Sequence, residues 1–341
     1  MARYGQARLR LALPWLADAL RAAAAVAPGA SVPSADWLAS RGHELRRDQT
    51  DWRGWLLGGI QGLAELLERH AAGPCIRALE AGTDAHGHWA CATPVHLIAG
   101  LDHLQLSPEP IVLDGDESAA LARSVNEHFA DRGFRVHPRS TGPWLLECPG
   151  EVQSSAAAPV EVAGRNLREL MPGGPDGTRI RALVNEIQML LHDHPVNVAR
   201  TARGIAPVNS LWFWGFGPSR PVGRRPEGFT GSIPALFTDD PWLAGLWLVH
   251  GARAEGVDGF SVSRKKGSED VLVGWTRAPA ADPERSCAIA EERVFAPALA
   301  ALRRNTVRDV ECRAGDWSFA ADRRSRWRAW RPQLRLAGIV A

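Results

Sequence analysis

The sequence predicts an α/β protein that carries a small α+β inserted domain. Three observations support this. Apolar runs of strand length alternate with segments whose apolar residues recur at helical spacing. A β-α-β-β run occupies residues 73–150. The chain has 341 residues, more than one core usually organises. The expected division is a discontinuous α/β domain of residues 1–72 and 151–341, interrupted by an α+β insert at 73–150.

The elements follow in order. Arg8 to Leu13 (RLRLAL) reads as a buried first strand, and Trp15 to Val26 as an Ala-rich helix ended by Pro28-Gly29. VPSADWLASRG predicts a short helix with Ser34 as N-cap, Trp37 and Leu38 on its apolar face and Gly42 just past its end. Trp52 to His70 is a second helical stretch, weakened by its glycines. His88 to Leu101 reads as an apolar strand. The next helix is capped by Asp114 or Asp116, carries Leu121, Val125 and Phe129 as a stripe, and is closed by Gly133. FRVHP and PWLLECP add two short strands, and the Ser/Ala-rich EVQSSAAAPVEVAG is the expected linker.

Beyond it, Ile180, Leu183, Val184, Ile187, Leu190 and Leu191 fall at helical spacing. That helix stops near Asp193-His194, because a residue before proline is pushed out of the helical region. Pro195 opens a second short helix, ended by Gly204. NSLWFWG, aromatic on both faces, predicts a strand central in a sheet, with Gly215-Phe216-Gly217 as the turn after it. PWLAGLWLVHGARAEGV predicts a helix and DVLVGW a second buried strand.

Composition limits the function classes. The formal net charge is +2, which gives no general reason to expect nucleic-acid binding. Lys265 and Lys266 are the lysines; the other basic residues are arginines, a compositional bias. RRSRWRAWR (Arg323 to Arg331) is the one basic cluster with interleaved aromatics. Nucleic-acid contact is one reading; a solvated helix face with Trp327 and Trp330 packed inward is the stronger. Five cysteines without a CxxC pair fit reduced thiols in a cytosol, so the expected location is cytoplasmic. Pro14, Asp18 and Arg21 interrupt the apolar N-terminal run, which leaves secretion as the weaker reading. No uninterrupted apolar stretch reaches the ~18 residues of a membrane span.

Chemistry concentrates in NEIQMLLHDHPVNVARTARGIAPVNSLWFWGFG, Asn185 to Gly217. A Trp-rich strand leading into glycines suits a ligand site at the carboxyl end of a sheet strand. His192 and His194 have metal-like spacing, as do His86 and His88. Residues i and i+2 on a helix, however, do not face the same way. For His194 a ring hydrogen-bonded to backbone at the helix break is the better reading. Arg200 and Arg203 fit either a bound phosphate or carboxylate, or an ion pair with an acid on a neighbouring helix.

HPVNVARTARGIAPVNSLWFWGFG resembles a signature segment of the archaeal-type cofactor-independent phosphoglycerate mutases, of the alkaline-phosphatase superfamily. The matching positions are His194, Pro195, Val196, Asn197, Arg200, Gly204, Pro207, Asn209, Trp212, Trp214, Gly215 and Gly217. VPSADWLASRG, the 73–150 insert and EVAGRNLRELMPGG resemble further parts of that family, to about Gly251. The core from Leu191 to Asn197 and from Asn209 to Trp212 is also similar to RpfE-type bacterial regulatory proteins. The resemblance implies an alkaline-phosphatase-like sandwich of helices around a mostly parallel sheet. It also implies ligand-binding roles for His194, Asn197, Arg200, Asn209, Trp214, Gly215 and Gly217.

The superfamily reaction needs two metal ions, a Ser or Thr nucleophile and Asp/His ligands. Pro14-Trp15 stands where the first metal Asp belongs, and Asp18 lies too far along. Thr50 is the weak candidate nucleophile; Thr50-Asp51 reads better as a helix N-cap. The last His is His250, GWTRAPAADPERS replaces the first C-terminal ligands, and Trp317 stands in the place of a His. WACATP lacks the insert's Arg, and Pro143-Trp144 replaces a phosphate-binding Arg.

The expectation is a non-catalytic regulatory protein, with no cofactor, whose partner is an unidentified regulatory protein or a small phosphorylated metabolite. Neither nucleic acid nor membrane is expected. The alternative is an active phosphoglycerate mutase or phosphatase with a rearranged site. It would use Thr50, His192 or His194, and Mn or Mg. A third reading is a partner-binding module that uses the arginine-rich tail.

Overall fold

Period-two alternation in the first strand decides how the N-terminal unit is built. Leu9, Leu11 and Leu13 are fully buried, while Arg10 projects from the opposite face. The structure, a computed structural model, describes residues 7–340 except 28–30, 43, 49, 61, 83–85, 101–102, 108, 168–169, 225–231, 263–269 and 329. Pro28-Gly29, Lys265 and Lys266 lie outside the described residues.

In chain order, β1 (Arg8–Leu13) leads into α1 (Leu16–Val26), α2 (Pro33–Arg41), β2 (Glu44–Arg47), α3 (Trp52–Gly58) and α4 (Ala64–Arg69). Then come α5 (Ala72–Ala81), β3 (His88–Val95), the hairpin β4 (Leu97–Ala99) and β5 (Leu104–Leu106), α6 (Gly115–His128), β6 (Arg135–His137) and β7 (Trp144–Cys148). α7 (Pro159–Val162), α8 (Gly177–His192), α9 (Pro195–Ala202) and β8 (Ser210–Pro218) follow. β9 (Ala235–Thr238), α10 (Pro241–Val249), β10 (Val271–Gly274), α11 (Pro283–Ala290), α12 (Ala296–Arg303), β11 (Asp309–Ala314), β12 (Trp317–Asp322) and α13 (Leu336–Val340) close the order.

The first unit comprises residues 1–67, 225–247 and 251–341. Its six-stranded sheet has the order β2-β12-β11-β1-β10-β9. β11, β1, β10 and β9 run parallel, and β12 and β2 are antiparallel at one edge. This is the mixed α/β fold with a central, mostly parallel sheet that the sequence predicts. Leu9, Leu11, Leu13, Val310, Cys312, Phe319 and Ala321 pack against helices α1, α2, α11 and α12 in one core. The register puts Arg10, Glu311, Arg313 and Ser318 on the other face.

Two local expectations change here. Ser34 is not the N-cap of α2. Val32 holds that position, because Pro33 fits the first helical turn. The Ser34 N–H instead donates to the Glu291 carboxylate, at 3.1 and 3.0 Å. The stretch Trp52 to His70 is broken after Gly58-Gly59 into α3 and α4.

The second unit comprises residues 68–224 and 248–250. It extends further along the chain than an insert of 73–150, because β8 pairs with β3 along Ser210–Pro218. Its sheet has the order β6-β7-β3-β8 and is antiparallel. α6 and α8 join one face in a single core with Ala90, Ala92, Leu146, Leu211 and Phe213. α6 starts as read: Asp114 and Glu117 form a reciprocal capping box. Leu121, Val125 and Phe129 are buried, and Gly133 is left-handed at φ +71°.

EVQSSAAAPVEVAG is not a linker. Ser155 bridges Gly173 through both backbone bonds, and Val152, Ala158 and Val162 are buried. Its small apolar side chains let the chain lie close to the Trp212 ring, whose Nε1 donates to Ala157 O at 2.8 Å. β8 is an edge strand rather than a central one. Ser210 to Trp214 are nonetheless all buried, with α5 and α8 packed against the strand. Gly215 to Gly217 is not a turn but part of β8, with a register shift opposite Trp89 and Cys91.

The arginine-rich tail also departs from expectation. Ser325–Trp327 is a single 3₁₀ turn, and Trp327 and Trp330 are 73% and 78% exposed. The arginines bond inward instead. Arg328 donates to Arg41 O at 3.1 Å, Arg331 donates to Gly42 O, and Arg41 donates to Arg331 O at 2.9 Å. That orientation turns the indoles outward. All five cysteines are buried. Burial pushes the Cys148 thiol up to about 12 and the Cys287 thiol up to about 11, so neither is a reactive thiolate at neutral pH. No described helix is long and apolar enough to cross a membrane.

Trp330→Ser tests the tail directly. Thermal or urea unfolding should change by less than about 0.5 kcal/mol, the range for surface substitutions. A loss of about 3 kcal/mol or more would mean the ring is packed inward.

Candidate functional site

The signature segment begins where α8 meets Pro195. His194 takes extended backbone there and caps α9: its Nδ1 accepts from Val196 N at 3.2 Å. A neutral ring with an accepting Nδ1 carries its proton on Nε2, which lies 3.0 Å from Ser124 Oγ on α6. Burial pushes this imidazole below its ordinary value. His192 is 82% exposed and sits 3.9 Å from Asp193. The two rings thus lie in different surroundings, one in solvent and one engaged by α6.

Asn197 is buried and makes three bonds. Nδ2 donates to Leu191 O and Val208 O, each at 2.7 Å, and Oδ1 accepts from Val208 N at 2.8 Å. It joins the end of α8, the first turns of α9 and the entry to β8. Arg200 is 3% exposed. It donates to Glu117 Oε2 at 2.6 Å, Ala206 O at 2.9 Å and Val112 O at 3.1 Å. Arg203 reaches Glu117 Oε1 at 2.6 Å. The ion-pair reading of both arginines is the one that forms. Glu117 was missed as their partner, although the Asp-x-x-Glu box at 114–117 marked it as a structured carboxylate.

Asn209 pairs with the Leu97 backbone on β4: Oδ1 accepts from N at 2.7 Å and Nδ2 donates to O at 2.8 Å. Trp214 Nε1 donates to Thr93 Oγ1 at 3.0 Å on β3. Gly215 has φ +62°, and a Cβ there would lie 2.8 Å from Ala72 Cβ. A Cβ on Gly217 would lie 3.0 Å from Ala71 Cβ. Both glycines therefore admit the start of α5. Beside them a cavity of about 150 Å³ opens, with Glu68, Arg69, His70 and Arg220 among its lining. That is below the roughly 300 Å³ where ligand pockets begin.

In the first unit, the carboxyl ends of the parallel strands carry the positions where the resemblance implies metal ligands. Trp15, after β1, packs edge-on against Trp275, after β10, with centroids 5.5 Å apart. Trp317 begins β12, with the Arg47 guanidinium 5.0 Å over its ring. Two carboxylates that sequence reasoning missed, Asp239 and Asp240, follow β9; the signal was Thr-Asp-Asp-Pro after an apolar strand. Burial raises Asp239, which accepts from Thr276 N at 2.7 Å, Thr276 Oγ1 at 3.0 Å and Arg277 N at 3.1 Å. Asp240 caps α10 through Leu243 N at 2.8 Å and pairs with buried Arg53 at 2.7 Å.

Asp51, not Thr50, caps α3, accepting from Arg53 N and Gly54 N at 3.0 Å. The Thr50 hydroxyl donates to Asp48. That bond, with Arg313 and Arg46 behind it, holds Asp48 below the usual carboxylate range, which makes it a poor general base. Among the described residues no three His, Cys, Asp or Glu side chains form a group able to hold a metal ion. Among the described residues, those at these strand ends do not make up the two-metal centre that the resemblance implies.

The chain is related to phosphoglycerate mutases at low identity and over part of its length. It is 26% identical over 147 residues to the 2,3-bisphosphoglycerate-independent phosphoglycerate mutase of Methanothrix thermoacetophila, covering 43% of this chain and 37% of that protein. The Methanosarcina barkeri enzyme of the same description is 34% identical over 107 residues, 31% of this chain and 27% of that one. The matched stretches thus span roughly a third of those relatives. No protein-family profile matches the chain. Among solved structures, the cofactor-independent phosphoglycerate mutase of Thermoplasma acidophilum aligns with TM-score 0.38 at 20% identity, over 93% of this chain and 89% of its own. The PH0037 protein of Pyrococcus horikoshii aligns with TM-score 0.49 at 14% identity, over 94% and 88%.

Two outcomes follow from the segment's bonding. Asn197→Ala leaves both Val208 backbone groups buried without their Asn197 partner and removes one of the bonds to Leu191 O, and should cost about 3 kcal/mol in urea unfolding. A cost below about 1 kcal/mol would contradict the role given to that side chain. His88, His194 and His250, all in the second unit, are pushed below their ordinary value of 6.5, first by burial. The folded form holds them neutral, while the unfolded chain takes up protons near pH 6.5. Their contribution is therefore complete above pH 6.5 and is lost as pH falls below it, through the lowered folded values. In His194→Asn the amide oxygen can still accept from Val196 N but does not titrate, so the fall in Tm below that pH should be shallower. An unchanged slope would remove His194 from the account.

Proposed function

We propose that this chain is a non-catalytic relative of metal-dependent phosphoglycerate mutases with a regulatory role in a bacterial cytoplasm. It would respond to a small phosphorylated or carboxylated metabolite, or to a protein partner. The observation that carries the reading is the filling of the strand ends in the first unit. Trp15 and Trp275 pack on each other, Trp317 stands at the start of β12, and Asp239 and Asp240 are bound to backbone groups and Arg53. Converting such a site to a two-metal centre would require new ligands and removal of three indoles.

The bonding of His194, Asn197, Arg200, Asn209 and Trp214 supports assigning this segment an internal structural role. Direct ligand contact by these residues would require breaking buried hydrogen bonds. The test is a mutase assay on the pure chain with 3-phosphoglycerate and excess Mn or Mg. No 2-phosphoglycerate should form above the uncatalysed background. Metal-dependent turnover that Thr50→Ala abolishes would overturn the proposal in favour of a rearranged active site.

A further inference from the structure

The polar face of the first unit's sheet is only partly covered, and a cavity of about 320 Å³ opens on it. Arg10 of β1, Glu311 of β11, Ser318 of β12 and Arg46 of β2 contribute to its lining, with Trp55 and Gly59 closing it from α3 and its end. The strand order places β1 and β2 on either side of β11 and β12, so the two arginines approach the cavity from opposite flanks. Arg10 is 5% exposed. Its Nη1 meets Glu311 Oε2 at 3.0 Å, Nη2 donates to Trp55 O, and the guanidinium lies 4.5 Å over the Trp55 ring.

Its Nε is buried and has no hydrogen-bond partner among the described residues. An unpaired buried guanidinium N–H costs on the order of 1–3 kcal/mol, so such a group calls for a ligand or water. Arg46 is exposed, and the register puts it opposite Ser318 on the same face of the sheet. Gly59 makes the arrangement possible: a Cβ there would fall 1.4 Å from Arg10 Nη1.

We propose that this cavity binds a small oxyanion-bearing metabolite, a phosphomonoester or carboxylate, between Arg10 Nε and the Arg46 guanidinium. Glu311 offsets the charge of Arg10 through Nη1, so Arg10 Nε serves as a hydrogen-bond donor and Arg46 supplies the charge that attracts the anion. Arg46 can offer a forked pair of N–H groups to a phosphate or carboxylate, and Arg10 adds the single Nε–H. The volume suits a compact ligand, at the lower end of the range for binding pockets. The inference deepens the proposed function and rests on its reading of a metabolite-responsive protein. Binding is measured without turnover, so each can fail alone.

The experiment is calorimetric titration of the full chain with inorganic phosphate and, separately, with malonate. At least one should saturate near roughly millimolar concentration, and the stronger of the two identifies the anion class. Arg46→Gln and Gly59→Ala should each weaken binding at least about tenfold, the loss of one charge-assisted hydrogen bond. Arg326→Gln, on the exposed tail, should leave it unchanged. If Gly59→Ala is unfolded by circular dichroism, Arg46→Gln alone decides. Absence of saturation with both anions up to about 50 mM would overturn the proposal. So would Arg46→Gln binding as tightly as the parent, or an equal loss in Arg326→Gln.

Discussion

The second unit depends on one side-chain amide. Asn197 adds a bond to the Leu191 carbonyl at the end of α8, which also accepts from His194 N, and it pairs with both backbone groups of Val208 before β8. Three chain segments meet at this one group, and the sequence sets them there: Pro195 ends α8 and starts α9, which brings residue 197 back over the helix end. The Arg200–Glu117 pair and the His194 contact with Ser124 then tie the same corner to α6. A polar, glycine-rich and aromatic sequence that looks like an active site is in this protein the joint of a small antiparallel unit.

The first unit solves a different problem. A sheet with four parallel strands normally buries both faces in apolar side chains. Here one face is apolar from Leu9 through Phe319, and the other carries Arg10, Arg313, Glu311 and Ser318. Buried arginines need partners, and most have them: Arg53 has Asp240, and Arg313 has the carbonyls of Asp48, Thr50 and Gly315. Burial lowers Arg10 and Arg313 from the usual arginine value, with Glu311 and Asp48 acting in the opposite sense. The carboxylates at the strand ends hold this face and its turns, and they are not arranged to converge on a metal.

Much of the fold was legible because its signals are local. The box at Asp114 and Glu117, the helix break before Pro195 and the alternation in β1 each rest on residues within a few positions of one another. The misread features depend on distant partners. Ser34 looks like a cap until Glu291, 257 positions away, is seen to take its N–H. The glycines of Gly-Phe-Gly read as a turn, and their actual reason is the approach of Ala71 and Ala72 from far upstream. The tail tryptophans invert because Arg41 and Gly42 supply carbonyls that the tail arginines reach. Aromatic pattern alone likewise cannot separate a central strand from an edge strand covered by helices, as β8 is. The candidate site divides in the same way: its ancestry was legible in residue spacing, whereas the use of each polar atom was not.

The central claim is that strand ends occupied by Trp15, Trp275 and Trp317 have no place for a metal pair. Titration of the pure chain with Mn, followed by the electron paramagnetic resonance of the free ion, tests this most directly. The account predicts that added Mn stays free, with no saturable site tighter than roughly millimolar. Stoichiometric binding of two ions at micromolar concentration, on the order of 10⁻⁶ M, would contradict it.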